Sequence, residues 1–281
     1  MAPLLDSKAS ALTPADFQYL RTLVRDKSAI VLDDGKEYLV ESRLSPLVRQ
    51  EGLGSLSELV QALRGRKPGL ESKVIDAMTT NETSFFRDIH PFDSMRQTLI
   101  PEIIEKKRAT RELNLWCAAA SSGQEPYSVC MMLRENFPEL NGWRFNFLAT
   151  DLSPSMIEKS KSGKYSQLEV NRGLPAAYLV KYFERQGADW VVKPEIRSMV
   201  DYRLLNLVEP WPMMNAMDIV FIRNVLIYFD RDTKRKILQN IKRILRPDGY
   251  LMLGSSETTF NIDEGWAIKT IGKTICYQPG K

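Results

Sequence analysis

The sequence predicts an α/β chain in two parts, a small all-α N-terminal domain followed by a larger domain on a doubly wound, mostly parallel sheet. Three observations predict it. Residues 13–78 place apolar side chains at helical spacing and contain no strand-like run. Beyond Arg111, short apolar runs alternate with helical stretches. Those runs also lack in–out alternation, as expected of strands covered on both faces.

Taken in order, Thr13-Pro14-Ala15-Asp16 reads as an N-cap, a first-turn proline and a first-turn acid. Phe17, Leu20, Leu23 and Val24 then share one face. A second helix starts near Lys36 with Val40, Leu44, Leu47 and Val48 in register, and Ser45-Pro46 should kink or restart it. Gly52 and Gly54 end it, and Ser55-Leu56-Ser57-Glu58 forms a capping box for the third. Val74, Ile75 and Met78 mark a fourth. In the second part, strands are expected at 113–117, 145–150, 219–222 and 250–253, with helices at 125–135, 153–162 and 232–245. Residues 267–277 read as a closing hairpin turning at Gly272. Residues 163–202 break the alternation. Strand-like 190–192 and 199–202 suggest a small inserted β element there.

Composition narrows the function. No window approaches the ~20 apolar residues of a membrane helix, and Met1–Thr13 lacks the pattern of a secretion signal. The expected location is the cytoplasm, without membrane insertion. Cys117, Cys130 and Cys276 are odd in number and unpaired in spacing, so they read as buried small hydrophobes. With His90 the sole histidine, no metal site is expected. The net charge of +4 is modest, and residues 1–90 hold 12 Lys+Arg against 13 Asp+Glu, so the excess lies downstream. Clusters such as Lys106-Lys107-Arg108 read as solvated helix faces rather than a nucleic-acid footprint.

In open parallel sheets ligands bind outside the carboxyl ends of the strands. After 113–117 comes Ala118-Ala119-Ala120-Ser121-Ser122-Gly123, small residues that let a ligand approach the backbone, then a helix start at Gln124-Glu125-Pro126. After 145–150 comes Asp151, placed to accept from ribose hydroxyls. Alone, this predicts a nucleoside-containing ligand, and the dinucleotide pattern G-x-G-x-x-G is absent.

Further segments add specificity: Thr79–Asp88 (TTNETSFFRD), Ser121–Ser128, Ala149-Thr150-Asp151, Asn206-Leu207 and Arg223–Asp230 (RNVLIYFD). Together, in this order, they closely resemble the chemotaxis receptor methyltransferases of the CheR family, over nearly the whole chain. The resemblance implies a Rossmann-like S-adenosylmethionine methyltransferase domain at 96–281 with an inserted β subdomain at 163–204. An all-α receptor-docking domain at 1–78 and a residue-bearing linker at 79–95 would precede it. It implies cofactor binding by Asn81, Thr83, Arg87, Glu125, Asp151, Asn206, Leu207, Arg223 and Asn224, with S-adenosylhomocysteine as product and no metal. Within that set, Arg87 offers a fork for a carboxylate, Glu125 can pair with the cofactor's ammonium group, and Asn206 and Leu207 can edge and cover the adenine. Members commonly have glycine and a second acid where this chain has Ala119 and Gln124.

The implied activity is methyl ester formation on receptor glutamates. A glutamate of ordinary pKa ~4.3 is ionised at neutral pH and needs no general base, which suits a chain with one histidine. Arg87 and Tyr228 are expected to orient that carboxylate. The alternatives are a methyltransferase of another substrate class or a cofactor-binding scaffold without catalysis. The implied partner is the cytoplasmic helical region of methyl-accepting chemoreceptors, which Lys36 and Arg43, seven residues apart on one helix face, could meet. The short turn Gln186–Asp189 predicts no dependence on a receptor C-terminal peptide tether.

Overall fold

The computed structural model describes residues 12–280. The reading of Met1–Thr13 rests partly on residues 1–11, which lie outside the described ones. The chain divides into two compact units: residues up to Thr80 together with Tyr228–Asp230, and Asn81–Ile227 together with Arg231 onward.

The first unit holds α1 (Pro14–Ser28), α2 (Glu37–Gln50), α3 (Leu56–Arg64) and α4 (Leu70–Met78). The expected apolar stripes are its core: Phe17, Leu20, Val24, Val40, Leu44, Leu59, Val60 and Val74 are all buried. Thr13 caps α1 by accepting from the Asp16 N–H at 3.1 Å. Ser55 caps α3 in the same way, but Glu58 reaches back to Gly54 rather than to Ser55, so the capping box is half formed. Pro46 does not break α2, because it sits on the exposed side, where losing one N–H leaves the buried stripe intact. Tyr228–Asp230 belongs with these helices, the Val31 N–H donating to the Tyr228 carbonyl at 3.0 Å.

In the second unit, α5 (His90–Ser94), one π-helical turn (Met95–Leu99) and α6 (Ile100–Lys106) lead into β1 (Glu112–Ala118). Then follow α7 (Gln124–Asn136), β2 (Arg144–Asp151) and α8 (Pro154–Ser162). An insertion comes next, with β3 (Lys164–Tyr165), α9 (Gln167–Asn171), α10 (Ala176–Tyr182), β4 (Phe183–Gln186), β5 (Asp189–Val192) and α11 (Pro194–Arg197). The chain closes with β6 (Asp201–Leu204), β7 (Met217–Ile222), α12 (Arg231–Ile244), β8 (Leu245–Leu253), β9 (Trp266–Ile271) and β10 (Thr274–Pro279).

The main sheet runs β6-β2-β1-β7-β8-β10-β9, parallel from β6 to β8 and closed by the antiparallel hairpin. Leu115 pairs with Phe147 on one side and Ile219 on the other. From β1 the chain builds outward through β2 to β6, then returns to β1's other side with β7. That reversal is the switch point where such sheets bind ligands. The insertion contributes a separate sheet, β3-β5-β4.

One expectation is corrected here. The strand-like stretch assigned with 163–204 to the inserted element is β6, and it pairs parallel with β2 at the edge of the main sheet, Ala149 opposite Tyr202. An edge strand with Tyr202 inward and Asp201 and Arg203 outward reads locally like any isolated half-buried strand. Residues 246–249 bulge from β8, where its pairing with β7 jumps from Met217–Leu245 to Ile219–Tyr250.

Candidate functional site

The loop after β1 turns sharply. Ala119, Ser121 and Gly123 all take positive φ, at 56°, 50° and 90°. Its polar groups are fixed from several sides. The Ala120 N–H donates to the Thr150 carbonyl, and the Ser121 N–H to Asp151 Oδ2 at 2.7 Å. Ser160 Oγ and Tyr165 Oη donate to the carbonyls of Ser121 and Ser122. Gly123 has no room for a side chain: a Cβ there would sit 2.9 Å from Tyr202 Oη and 3.0 Å from Ser160 Oγ. Burial pushes the Tyr202 and Tyr165 phenols well above their ordinary values, so both stay neutral.

Arg223, first residue past β7, is the electrostatic centre. Its side chain is 2% exposed. It donates through Nη1 to Glu125 and through Nη2 to the Arg87 carbonyl at 2.9 Å and to Asp88 Oδ2 at 3.0 Å. Burial alone would lower its pKa, but Glu125 and Asp88 overcome that and raise it. Glu125 also accepts from Cys117 Sγ at 3.2 Å, and burial, then Glu125, push that thiol far up. The three cysteines are buried and free.

The linker is held by its aromatics. Phe85 is fully buried, edge-on to Tyr165 and Phe183 of the insertion, and Phe86 packs on Phe92 and Tyr178. The Phe86 N–H donates to Ser128 Oγ. Glu82 pairs with Arg172, whose hydrogen bond and charge lower its pKa. The Arg87 guanidinium donates to the Glu82 carbonyl at 3.1 Å and makes no ion pair with any described residue.

Of the residues expected to bind the cofactor, the structure gathers Arg87, Glu125 and Arg223 through this network. Asn81 joins Asp151 through Ser121, whose Oγ donates to the Asn81 carbonyl. Thr83 is half-buried in the same extended segment. Asn206 accepts from the Val208 N–H and donates to Glu209, shaping the turn after β6. Leu207 is buried, and its carbonyl accepts from Trp211, whose ring stacks edge-on against Trp116. Tyr228 lies in the helical unit.

Several of these residues also carry structural contacts. Glu125 is paired with Arg223. Both Asp151 oxygens accept main-chain N–H groups, from Ser121 and Ser153. Arg43, expected to face a partner, donates to the Met78 carbonyl and to Thr80, and burial lowers its pKa.

Arg223 Nε and Asn224 Oδ1, both buried on the loop after β7, have no hydrogen-bond partner among the described residues. One is a donor and the other an acceptor, and together they suit a polar nucleoside ligand. A cavity of about 170 Å³ at the ends of β7, β8 and β10 is lined by Asp88, His90, Arg223, Gly254, Glu257 and Lys273. A cavity of about 590 Å³ against β2 and β6 is lined by none of the expected residues. Among the described residues no His/Cys/Asp/Glu group could hold a metal, and no helix is long and apolar enough to cross a membrane.

Sequence reasoning missed Glu257. The signal was present, for Gly254-Ser255-Ser256-Glu257 follows a strand with small residues and then an acid, as Ala118–Glu125 does.

Comparison with known proteins agrees with this geometry. A family model described as CheR methyltransferase, SAM binding domain, matches residues 81–274, and one described as CheR methyltransferase, all-alpha domain, matches residues 15–79. The chain is 44% identical over 269 residues to chemotaxis protein methyltransferase 1 of Pseudomonas aeruginosa, covering 94% of this chain and 97% of that protein. It is 42% identical over the same length to chemotaxis protein methyltransferase Cher2 of Pseudomonas putida, again covering 94% and 97%. It is 38% identical over 275 residues to a chemotaxis protein methyltransferase of Vibrio parahaemolyticus, covering 96% and 99%. The chain belongs to the CheR methyltransferase family, an all-α domain followed by an S-adenosylmethionine-binding domain.

Proposed function

We propose that the chain esterifies glutamate side chains on the cytoplasmic helical region of chemoreceptors, adapting chemosensory signalling. The observation that carries the substrate class is Arg87. Its guanidinium is half-buried and makes no ion pair with a described residue, while its carbonyl is anchored to Arg223. A guanidinium fork held in place, near Glu82 but in no close ion pair with a described residue, keeps its donors for an incoming carboxylate.

S-adenosylmethionine, when bound, supplies an electrophilic sulfonium methyl group. Asn81, Thr83, Arg87, Glu125, Asp151, Asn206, Leu207, Arg223 and Asn224 would hold it. Glu125 also neutralises Arg223 and fixes its fork. The acceptor carboxylate is ionised at neutral pH, so the chain's task is to align it and strip its water. Arg87 orients it, and Tyr228 donates a second hydrogen bond. The turn between β4 and β5 is two residues, Gly187-Ala188, which supports action without a receptor tether.

The experiment is transfer of labelled methyl from S-adenosylmethionine to a receptor fragment, followed by mild alkali. Label released as methanol is expected of a glutamyl ester, and alkali-stable label would refute the substrate class. Arg87→Ala should lower turnover by about 10²-fold, the scale of losing one charge-positioning donor, with little change in thermal midpoint.

A further inference from the structure

The loop leaving β7 carries Arg223 and Asn224 and runs on to Tyr228. Asn224 adopts a left-handed backbone, φ 59°, uncommon for a residue with a side chain. No regular ladder satisfies the N–H groups that follow. One side chain does. Glu257, four residues past the end of β8, accepts through Oε2 from the Asn224 and Gly254 N–H groups, both at 2.7 Å. Through Oε1 it accepts from Val225 at 2.9 Å and Ile227 at 3.3 Å. Four main-chain donors thus converge on one carboxylate at the point where adjacent strands end, Ile222 opposite Leu253.

The arrangement leaves no slack. A Cβ on Gly254 would lie 2.7 Å from Glu257 Oε2 and 2.8 Å from the Asn224 nitrogen. Only glycine lets the two strand ends approach closely enough for one carboxylate to reach both. Charge-assisted hydrogen bonds are roughly twice as strong as neutral ones, and no described basic side chain pairs with Glu257, so its negative charge is spent on these four N–H groups.

We infer that Glu257 is a positioning residue for methyl transfer: its carboxylate clamps Asn224–Ile227, presenting Arg223 and Asn224 to the cofactor. The inference rests on the cofactor reading above, and the reaction itself never touches Glu257.

The test compares Glu257→Gln with Glu257→Asp in the full chain. Gln keeps the shape but turns an NH₂ group toward two of the four donors. Asp keeps the charge on a shorter stem. A clamp predicts that Gln is the worse replacement, whereas a packing role predicts that Gln is benign and Asp is worse. With S-adenosylhomocysteine as calorimetric probe, E257Q should raise Kd at least tenfold, and the KM for S-adenosylmethionine should rise in parallel. E257D should lie between E257Q and wild type. Amide hydrogen exchange at Asn224, Val225, Ile227 and Gly254 should quicken at least tenfold in E257Q, at a temperature where both proteins are folded. Wild-type affinity and unchanged exchange in E257Q would overturn the clamp. The exchange readout needs no ligand, so wild-type protein that failed to bind S-adenosylhomocysteine would refute the cofactor reading while the clamp was still judged on its own.

Discussion

Replacing Arg223 by Met isolates the largest electrostatic commitment in the second unit. The substitution keeps most of the side chain's length and removes its charge. Three acceptors then lose their donor: Glu125, Asp88 and the Arg87 carbonyl. Asp88 is 40% exposed and regains water, so its share is at most about 1 kcal/mol. Glu125 is different. Its side chain is 12% exposed and abuts the buried Cys117 thiol, so an uncompensated charge is left where water reaches poorly. Breaking a buried pair by removing one partner costs about 3–5 kcal/mol.

For a unit of this size each kcal/mol moves the midpoint by roughly 2–4 °C. Arg223→Met should therefore melt roughly 6–20 °C below wild type by calorimetry or circular dichroism. Glu125→Gln should cost less, about 1–2 kcal/mol, because Arg223 keeps Asp88 and the Arg87 carbonyl. The double variant should lie above the sum of the two by at least about 1 kcal/mol, since the stranded carboxylate is gone. An Arg223→Met midpoint within about 2 °C of wild type, or strict additivity in the cycle, would show that Glu125 is solvated without Arg223.

Three further outcomes follow from local geometry. A Cβ at Gly173 would fall 2.0 Å from the Phe85 carbonyl oxygen, whereas one at Gly187 meets nothing within 4 Å, and both residues have positive φ. Gly187→Ala should cost only the left-handed penalty of about 1–2 kcal/mol, Gly173→Ala should cost clearly more and lower methyl transfer, and equal melting shifts would refute the difference. Ala119 sits at φ 56°, so Ala119→Gly should raise the thermal midpoint by a few degrees, about 1 kcal/mol of relieved strain. Hydrogen bonds from Lys67 and Lys73 hold the Glu51 carboxyl down to about 2. A depressed folded-state pKa stabilises above the ordinary 4.5 and loses that contribution as pH falls toward 2. The melting deficit of Glu51→Gln should therefore be constant near neutral pH and vanish by about pH 2, and a deficit growing as pH falls would contradict it.

Much of this was legible in the sequence because helical and strand periods are local properties. Ile219 sits in a run apolar on every residue, and Leu115 in one broken only by Asn114, and that pattern marks both as covered strands before any partner is known. The edge strand Asp201–Leu204 was misassigned because its partners in Arg144–Asp151 lie 53 residues earlier, Leu148 opposite Asp201, and its own four residues contain no trace of the pairing. The helical segments between His90 and Lys106 are not among the elements expected from sequence, and in the structure Pro91 and Pro101 each fall at the start of one, a position proline tolerates.

The site shows the same division more sharply. The types of Glu125, Asp151 and Arg223 announce charge near a ligand, but not which charges are already engaged. Asp151 fixes the Ser121 and Ser153 main chain, and Glu125 neutralises Arg223, so two acids that the sequence offers to the ligand first build the crevice. Only the partners reveal that. Arg87 and Asn224 emerge the opposite way, one as a guanidinium without an ion pair among the described residues, the other with a buried acceptor lacking a partner. A preorganised site must spend part of its charge on its own scaffold to hold the remainder unpaired and ready. In this chain Glu125, Asp151 and Glu257 spend charge on the scaffold, while Arg87 makes no ion pair with a described residue and Asn224 Oδ1 has no partner among the described residues.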